Sequence, residues 1–383
     1  MRFNQSAFMS KENHHNIKSN MRLFLFVITN LILPILLINC EQTTEGNNGT
    51  TTSQITSPGS TETEPGLTVH ISYQPSTGYG LMYAKGRFGT WSTTDLQKNP
   101  VDGYGTHIIC KENDKVYIAH TEGDVNTYLS TNSSGSWTNE TIFDSEGWHP
   151  SIFITPTGTL VATAQSAVNG KIYFASNQSG SWQKEELGTS NFQYLTFIAV
   201  DSNNDVNIVT KTGSNMTLFK GTTGNFNTTT IAASELEMAA VIDSNDLIHI
   251  AHRVGNDLVY RYGKTSFQSE VIKSASKPEN LAIAIDSNLK VHVVYLATDS
   301  DTLVYTTNKS GIWFEEILDT SIVKAQDNTV TSVSIDSADM VHVVYTDKNN
   351  SKIKYAANTT GIWQKEEVTN GRGHAYHCIS YNN

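Results

Sequence analysis

The stretch Val330–Val368 reads VTSVSIDSADMVHVVYTDKNNSKIKYAANTTGIWQKEEV and holds four short runs. Val333–Ile335 is a small apolar run that stops at Asp336-Ser337. Met340–Tyr345 is rich in Val. Lys352–Ala356 alternates polar and apolar residues, and Ile362–Val368 opens on a Gly-x-Trp step. β-Branched and aromatic runs bounded by Asp, Ser, Asn and Gly read as strands and tight turns. The unit therefore predicts four antiparallel strands. Such a sheet cannot bury both faces alone and needs neighbours of its own kind.

The neighbours are in the sequence. The aromatic after the last turn recurs as Trp91, Trp137, Trp182, Phe226, Phe267, Trp313 and Trp363, at spacings of 41 to 50 residues by subtraction. Seven such repeats predict an all-β chain, a seven-bladed β-propeller of four-stranded blades. The first repeat opens at Leu67 with LTVHISY, which matches the second strand of the unit (MVHVVY), so its first strand is missing. The chain ends in HAYHCISYNN, which reads as a first strand running into its turn. The C-terminal strand is thus expected to complete blade 1 and close the ring.

Residues 1–40 read as an export region. Met21–Asn39 is a short basic start followed by an apolar run that ends at Cys40, and Met21 is an alternative start. Residues 41–66 are Thr, Ser, Gly, Pro and Glu with few apolar side chains, which suits a flexible tether. Residues 67–383 form the propeller. Charged residues are only 16% of the chain and the formal net charge is −11, with no basic stripe to neutralise phosphates, so nucleic acid is not an expected partner. Cys110 and Cys378 lie in the first strands of adjacent blades. A disulfide between them is open, but aligned on Ile109 and Ile379 they are offset and point to opposite faces, which favours two unpaired thiols.

Two turns recur. Asp201, Asp243, Asp286 and Asp336 follow the first strand, where the side chain can bond its own backbone two residues on. Asn-x-Ser/Thr-Gly-x-Trp precedes the fourth strand, with Gly supplying positive φ and Trp91, Trp137, Trp182, Trp313 and Trp363 expected to pack between blades. Both turns belong to one face, the lower. The irregular connections lie on the other, where function usually sits.

Ser130-Thr-Asn132-Ser-Ser-Gly135-Ser-Trp137 resembles the Asp-box of the sialidase-type propellers, with Asn in place of Asp and the Gly shifted by one. The whole repeat resembles those of secreted prokaryotic surface lipoproteins, and Leu37-Ile38-Asn39-Cys40 resembles a bacterial lipobox with Asn39 in place of the usual small residue. The resemblance implies lipidation at Cys40, a membrane held through that lipid anchor, and a place at the cell envelope or outer surface; plain cleavage, which gives a secreted chain, and an uncleaved anchor are the alternatives. Sialidase activity is not implied. It requires three arginines around the substrate carboxylate, and residues 67–383 contain only Arg87, Arg253, Arg261 and Arg372.

His70, His249, His292 and His342 occupy one position of the second strand, each in a different blade. A structural role, bonding backbone or the Asp-Ser turn, is expected rather than a metal site. A second group precedes or opens the first strands: Tyr104 and His107, Trp148 and His149, Gln193 and Tyr194, and Arg372, His374, Tyr376 and His377. These side chains either form a binding mouth suited to sugars or extended peptides, or plug the channel. The ligand-binding candidates are Tyr104, His107, Trp148, His149, Tyr194, Arg372, His374 and Tyr376. No catalytic residue, metal or cofactor is expected. The sequence reads as an exported, lipid-anchored, monomeric module that binds a glycan or an envelope or host protein. A glycoside hydrolase with a non-standard site and an envelope scaffold are the alternatives.

Overall fold

The computed structural model describes residues 66–382, except 79, 97–104, 123–125, 145–146, 167, 191–195, 234–236, 321, 323–330 and 360. The expected export region with Cys40, the expected tether up to residue 65, Tyr104 and Tyr194 fall outside the described residues. Seven antiparallel sheets of four strands make the ring. Blade 1 joins β28 (Gly373–Tyr381) to β1 (Leu67–Gln74), β2 (Met82–Gly86) and β3 (Ser92–Asp95). Blades 2 to 7 follow in chain order as β4–β7 (106–143), β8–β11 (148–189), β12–β15 (197–233), β16–β19 (238–273), β20–β23 (278–320) and β24–β27 (331–370). The C-terminal strand completes blade 1 as its innermost strand, and Val69 lies opposite Ile379 in the register.

The core is not one cluster but seven, each shared by two adjacent blades. Successive side chains of a strand point to opposite faces, so each blade feeds two seams. In β28, for example, Ile379 and Tyr381 pack toward blade 7 while Tyr376 and Cys378 pack toward blade 2.

Polar links repeat beside this apolar packing. In blades 5, 6 and 7 a buried histidine joins the third strand to the first turn. The hydroxyls of Tyr260, Tyr305 and Tyr355 donate to Nδ1 of His249, His292 and His342 at 2.5, 2.7 and 2.5 Å. Each Nε2–H then donates to Asp243, Asp286 or Asp336 at 3.0, 3.3 and 2.9 Å. At the outer turns the Trp indoles reach back to the preceding blade. Trp91, Trp182, Trp313 and Trp363 donate to Glu366, Glu140, Glu270 and Glu316 at 2.6 to 3.0 Å. The turn asparagines tie the second strand in place: Asn132, Asn177 and Asn308 accept the N–H of Val116, Leu160 and Val291 at 2.7 to 2.8 Å. Asp201 of blade 4 meets Lys220 at 2.5 Å, because Asn207 stands where blades 1, 5, 6 and 7 have histidine.

Blade 1 cannot supply its own turn aspartate, since the chain enters at Gly66 and leaves at Asn382 where that turn would be. His70 nevertheless keeps the arrangement: Tyr83 OH bonds Nδ1 at 2.6 Å, and Nε2 lies 3.3 Å from Asp114, which belongs to blade 2. Asp114 also accepts from Lys85, from Ser380 at 2.8 Å and from Asn382 at 3.0 Å. Burial opposes its ionisation, but these bonds and the His70 charge outweigh that and hold its carboxyl at about 2.

The same seam corrects the expectation of free thiols. Cys110 and Cys378 form a disulfide, with Cα atoms 5.9 Å apart. The offset of the two cysteines is what allows the bridge. Stacked sheets meet with opposite faces, so the blade 2 residue facing blade 1 must have the opposite parity to the blade 1 residue facing blade 2. Cys110 shares its face with Ile108, and Cys378 shares its face with Tyr376. This seam has five buried apolar residues, against ten at the seam between blades 7 and 1. The covalent link thus reinforces a thin seam.

Two measurements check this account. Reduction, or Cys378→Ala, is expected to lower unfolding free energy by about 2–4 kcal/mol, and thiol titration of the unreduced, unfolded protein should find neither Cys110 nor Cys378 free. Acid should destabilise the fold in two stages. Burial holds His70, His107 and His120 neutral, lowered to about 4, whereas the unfolded chain takes up those protons below about 6.5. Stability is therefore lost as pH falls from about 6.5 toward 4, with a slope near 1.4 kcal/mol per pH unit for each such imidazole. The depressed carboxyl of Asp114 continues the loss below about 4, toward 2. A urea midpoint that stays constant between pH 7 and 5 would contradict buried neutral histidines.

Candidate functional site

The innermost strands begin at the upper end of the axial channel, and several begin with an irregularity. The register breaks between Trp148 and Ser151 in β8 (Trp148–Ile154), between Glu279 and Ala282 in β20 (Pro278–Ile285), and between Gly373 and Tyr376 in β28. Each break leaves one residue in the left-handed region: His149 at φ 49°, Asn280 at 52° and His374 at 50°. Non-glycine residues there cost energy and are held by their surroundings. The holding contact recurs. The hydroxyls of Thr106, Thr196 and Thr331, each from the following blade, donate to the carbonyls of His374 (3.0 Å), His149 (3.2 Å) and Asn280.

The registers place these residues at one level. Counting six residues back from the end of the first strand's turn position leads to His374 from Ser380, Gly105 from Lys111, His149 from Thr155, Glu237 from Asp243 and Asn280 from Asp286. Among the described residues these five make a collar around the channel mouth. Asn280 N–H donates to Glu237 at 3.2 Å across the seam between blades 5 and 6. Gly105, at φ 97°, sits between the two histidines: a Cβ there would lie 3.3 Å from His149 Cα, and its neighbour Thr106 holds His374. Glycine therefore lets the Gly105 backbone approach the His149–Pro150 segment closely.

The collar is polar and incompletely satisfied. His149 Nδ1, His374 Nε2 and Asn280 Nδ2 are buried without a hydrogen-bond partner. Orphaned buried polar atoms are uncommon and call for an explanation. Burial lowers His149 to about 4, and burial together with His149 and Arg372 lowers His374 to about 3, so both imidazoles are uncharged at neutral pH. Each offers one donor and one acceptor nitrogen.

The structure separates the sequence candidates. His149 and His374 meet on the collar, on either side of Gly105. Trp148 is half-buried beside His149, with ring centroids 6.2 Å apart, and Arg372 donates its N–H to Gln74 at 3.2 Å on the entry to β28. His107 and Tyr376 lie one layer below, with rings 5.5 Å apart, and His107 Nδ1 accepts the Ile152 N–H at 3.3 Å. Burial, with a smaller contribution from Glu237, raises the Tyr376 hydroxyl well above its ordinary range. Arg253 does not point free into the mouth; it pairs with Glu279 at 3.0 Å. His377 bonds Ser334 of blade 7 at 2.6 Å.

Sequence reasoning missed Gly105, Glu237 and Asn280. Aligning the repeats on their first turn and counting back six residues would have found all three. Below the collar a cavity of about 80 Å³ is lined by His107, Ser151, Phe197 and Val241, well short of the roughly 300 Å³ a small-molecule pocket needs. A larger open cleft of about 530 Å³ lies on the lower face at the ring closure, between Lys111, Lys115 and Tyr381. It contains no orphaned buried group, so the collar is the better candidate. Among the described residues no three His, Cys, Asp or Glu side chains gather as a metal site.

No protein-family model matches the sequence, and no curated protein matches it. Solved structures are similar in fold. A functionally unknown protein from Desulfotomaculum acetoxidans is 12% identical with a TM-score of 0.59, the alignment covering 82% of this chain and 99% of that one. The fucose-recognising Aleuria aurantia lectin, a six-bladed propeller, is 9% identical with a TM-score of 0.51, covering 70% and 96%. Virginiamycin B lyase from Staphylococcus aureus is 13% identical with a TM-score of 0.51, covering 72% and 88%. At these identities the likeness establishes a β-propeller fold and nothing finer.

Proposed function

We propose that this chain is an exported, lipid-anchored propeller that binds carbohydrate at its upper mouth. The observation that carries the reading is the collar, where His149, His374 and Asn280 hold buried polar atoms without partners. Sugar hydroxyls both donate and accept, which is what neutral imidazole and amide groups need. The half-buried Trp148 beside His149 offers an aromatic face, and aromatic faces with a few placed polar groups suit sugar rings. Glycan-binding propellers among the fold relatives make the reading consistent. The module acts as a monomer, with the membrane engaged through Cys40.

Two outcomes are expected. On a glycan array the purified protein retains a subset of sugars, and His149→Ala abolishes that retention with the melting temperature within a few degrees of the parent. In cells, Cys40→Ser moves the protein from the membrane fraction to the soluble one. Retention that survives His149→Ala, or sugar lost from the array by cleavage, would replace the binding reading.

A further inference from the structure

The charge at the collar narrows the ligand, on the premise that the mouth binds carbohydrate. Of the arginines among the described residues, Arg261 bonds His252 at 2.9 Å and Arg253 is paired with Glu279 at 3.0 Å. Arg87 lies exposed beside the outer turn of blade 1, on the lower face. Arg372 alone acts on the collar, through His374, and the Glu237 carboxylate stands on the same ring. No two guanidinium groups converge there, which is the arrangement that grips a carboxylate or a sulfate. What the collar offers is instead a pair of uncharged imidazoles, His149 and His374, in the blades on either side of Gly105.

We propose that the collar is a site for an uncharged sugar ring, with a hydroxyl bridging His149 Nδ1 and His374 Nε2. A hydroxyl can donate to one nitrogen and accept from the other, so one group satisfies both orphaned atoms. Asn280 Nδ2, farther round the ring, is available to a second hydroxyl of a longer glycan. With no two guanidinium groups converging on the collar among the described residues, an acidic sugar gains no bidentate charge-paired contact there, so the site favours the neutral one.

The test is titration calorimetry of the full chain with neutral and sialylated oligosaccharides taken from the same array, at about 0.05 and 0.5 M NaCl, where screening lengths differ several-fold. Neutral glycans should bind, with affinity changing less than about twofold between the two salts, since no ion pair is made. His374→Phe keeps the ring but removes the nitrogen and should weaken binding about tenfold, the equivalent of one lost hydrogen bond. His374→Gln, which returns an amide near the Nε2 position, should recover most of it. Thermal melts of both variants separate this loss from unfolding. Preference for sialylated glycans with salt-weakened affinity overturns the inference and leaves the carbohydrate reading standing. Neutral binding indifferent to His374→Phe in a folded protein also overturns it, by removing the collar as the site. Silence toward every glycan overturns both.

Discussion

The structure depends on face-to-face packing between neighbouring sheets. A four-stranded sheet with apolar residues on both faces is stable only between two others, and seven of them satisfy one another by closing into a ring. Each of the seven apolar clusters belongs to a seam rather than to a blade. This explains the near-continuous apolar second strands, such as Val291–Ala297, whose seven residues are all buried. A strand buried on both faces loses the alternation that a half-exposed strand shows.

Polar groups are fitted to this packing in two ways. Inside the blade, tyrosine, histidine and aspartate form a chain that stiffens the inner three strands. Between blades, the outer-turn tryptophans donate to glutamates of the preceding blade. These glutamates sit in the repeated Glu-Glu pairs and single acids of the fourth strands, which are otherwise exposed. The links use residues whose partners are fixed by the repeat, so the same pair forms at four seams.

Closure and candidate site are the two places where the repeat is broken. At closure, blade 1 has lost the turn that would carry its aspartate, and blade 2 supplies Asp114 in its place, alongside the disulfide. At the mouth, three inner strands begin with a left-handed residue braced by a threonine of the next blade. The strain there is local and over-determined by its neighbours, a pattern associated with functional sites. The collar unites His374, Gly105, His149, Glu237 and Asn280, which are far apart in the chain and share only their distance from the first turn.

The blades were legible in the sequence because strand periodicity and turn chemistry are local. Alternating β-branched runs, Asp-Ser turns and Gly-x-Trp steps each act within a few residues, so their repetition determined the blade number and the role of the C-terminal strand. Trp148, His149, Arg372 and His374 stood out as irregular segments between blades, but nothing local distinguished the collar residues His149 and His374 from His107 and Tyr376 in the layer below. The tertiary structure alone decided which faces meet. It joined Cys110 to Cys378 across 268 residues, brought Asp114 to His70, and set Glu237 and Asn280 beside the histidines. The physical reason is that a strand's own sequence specifies which side chains share a face, whereas the identity of the opposing face depends on the closed ring.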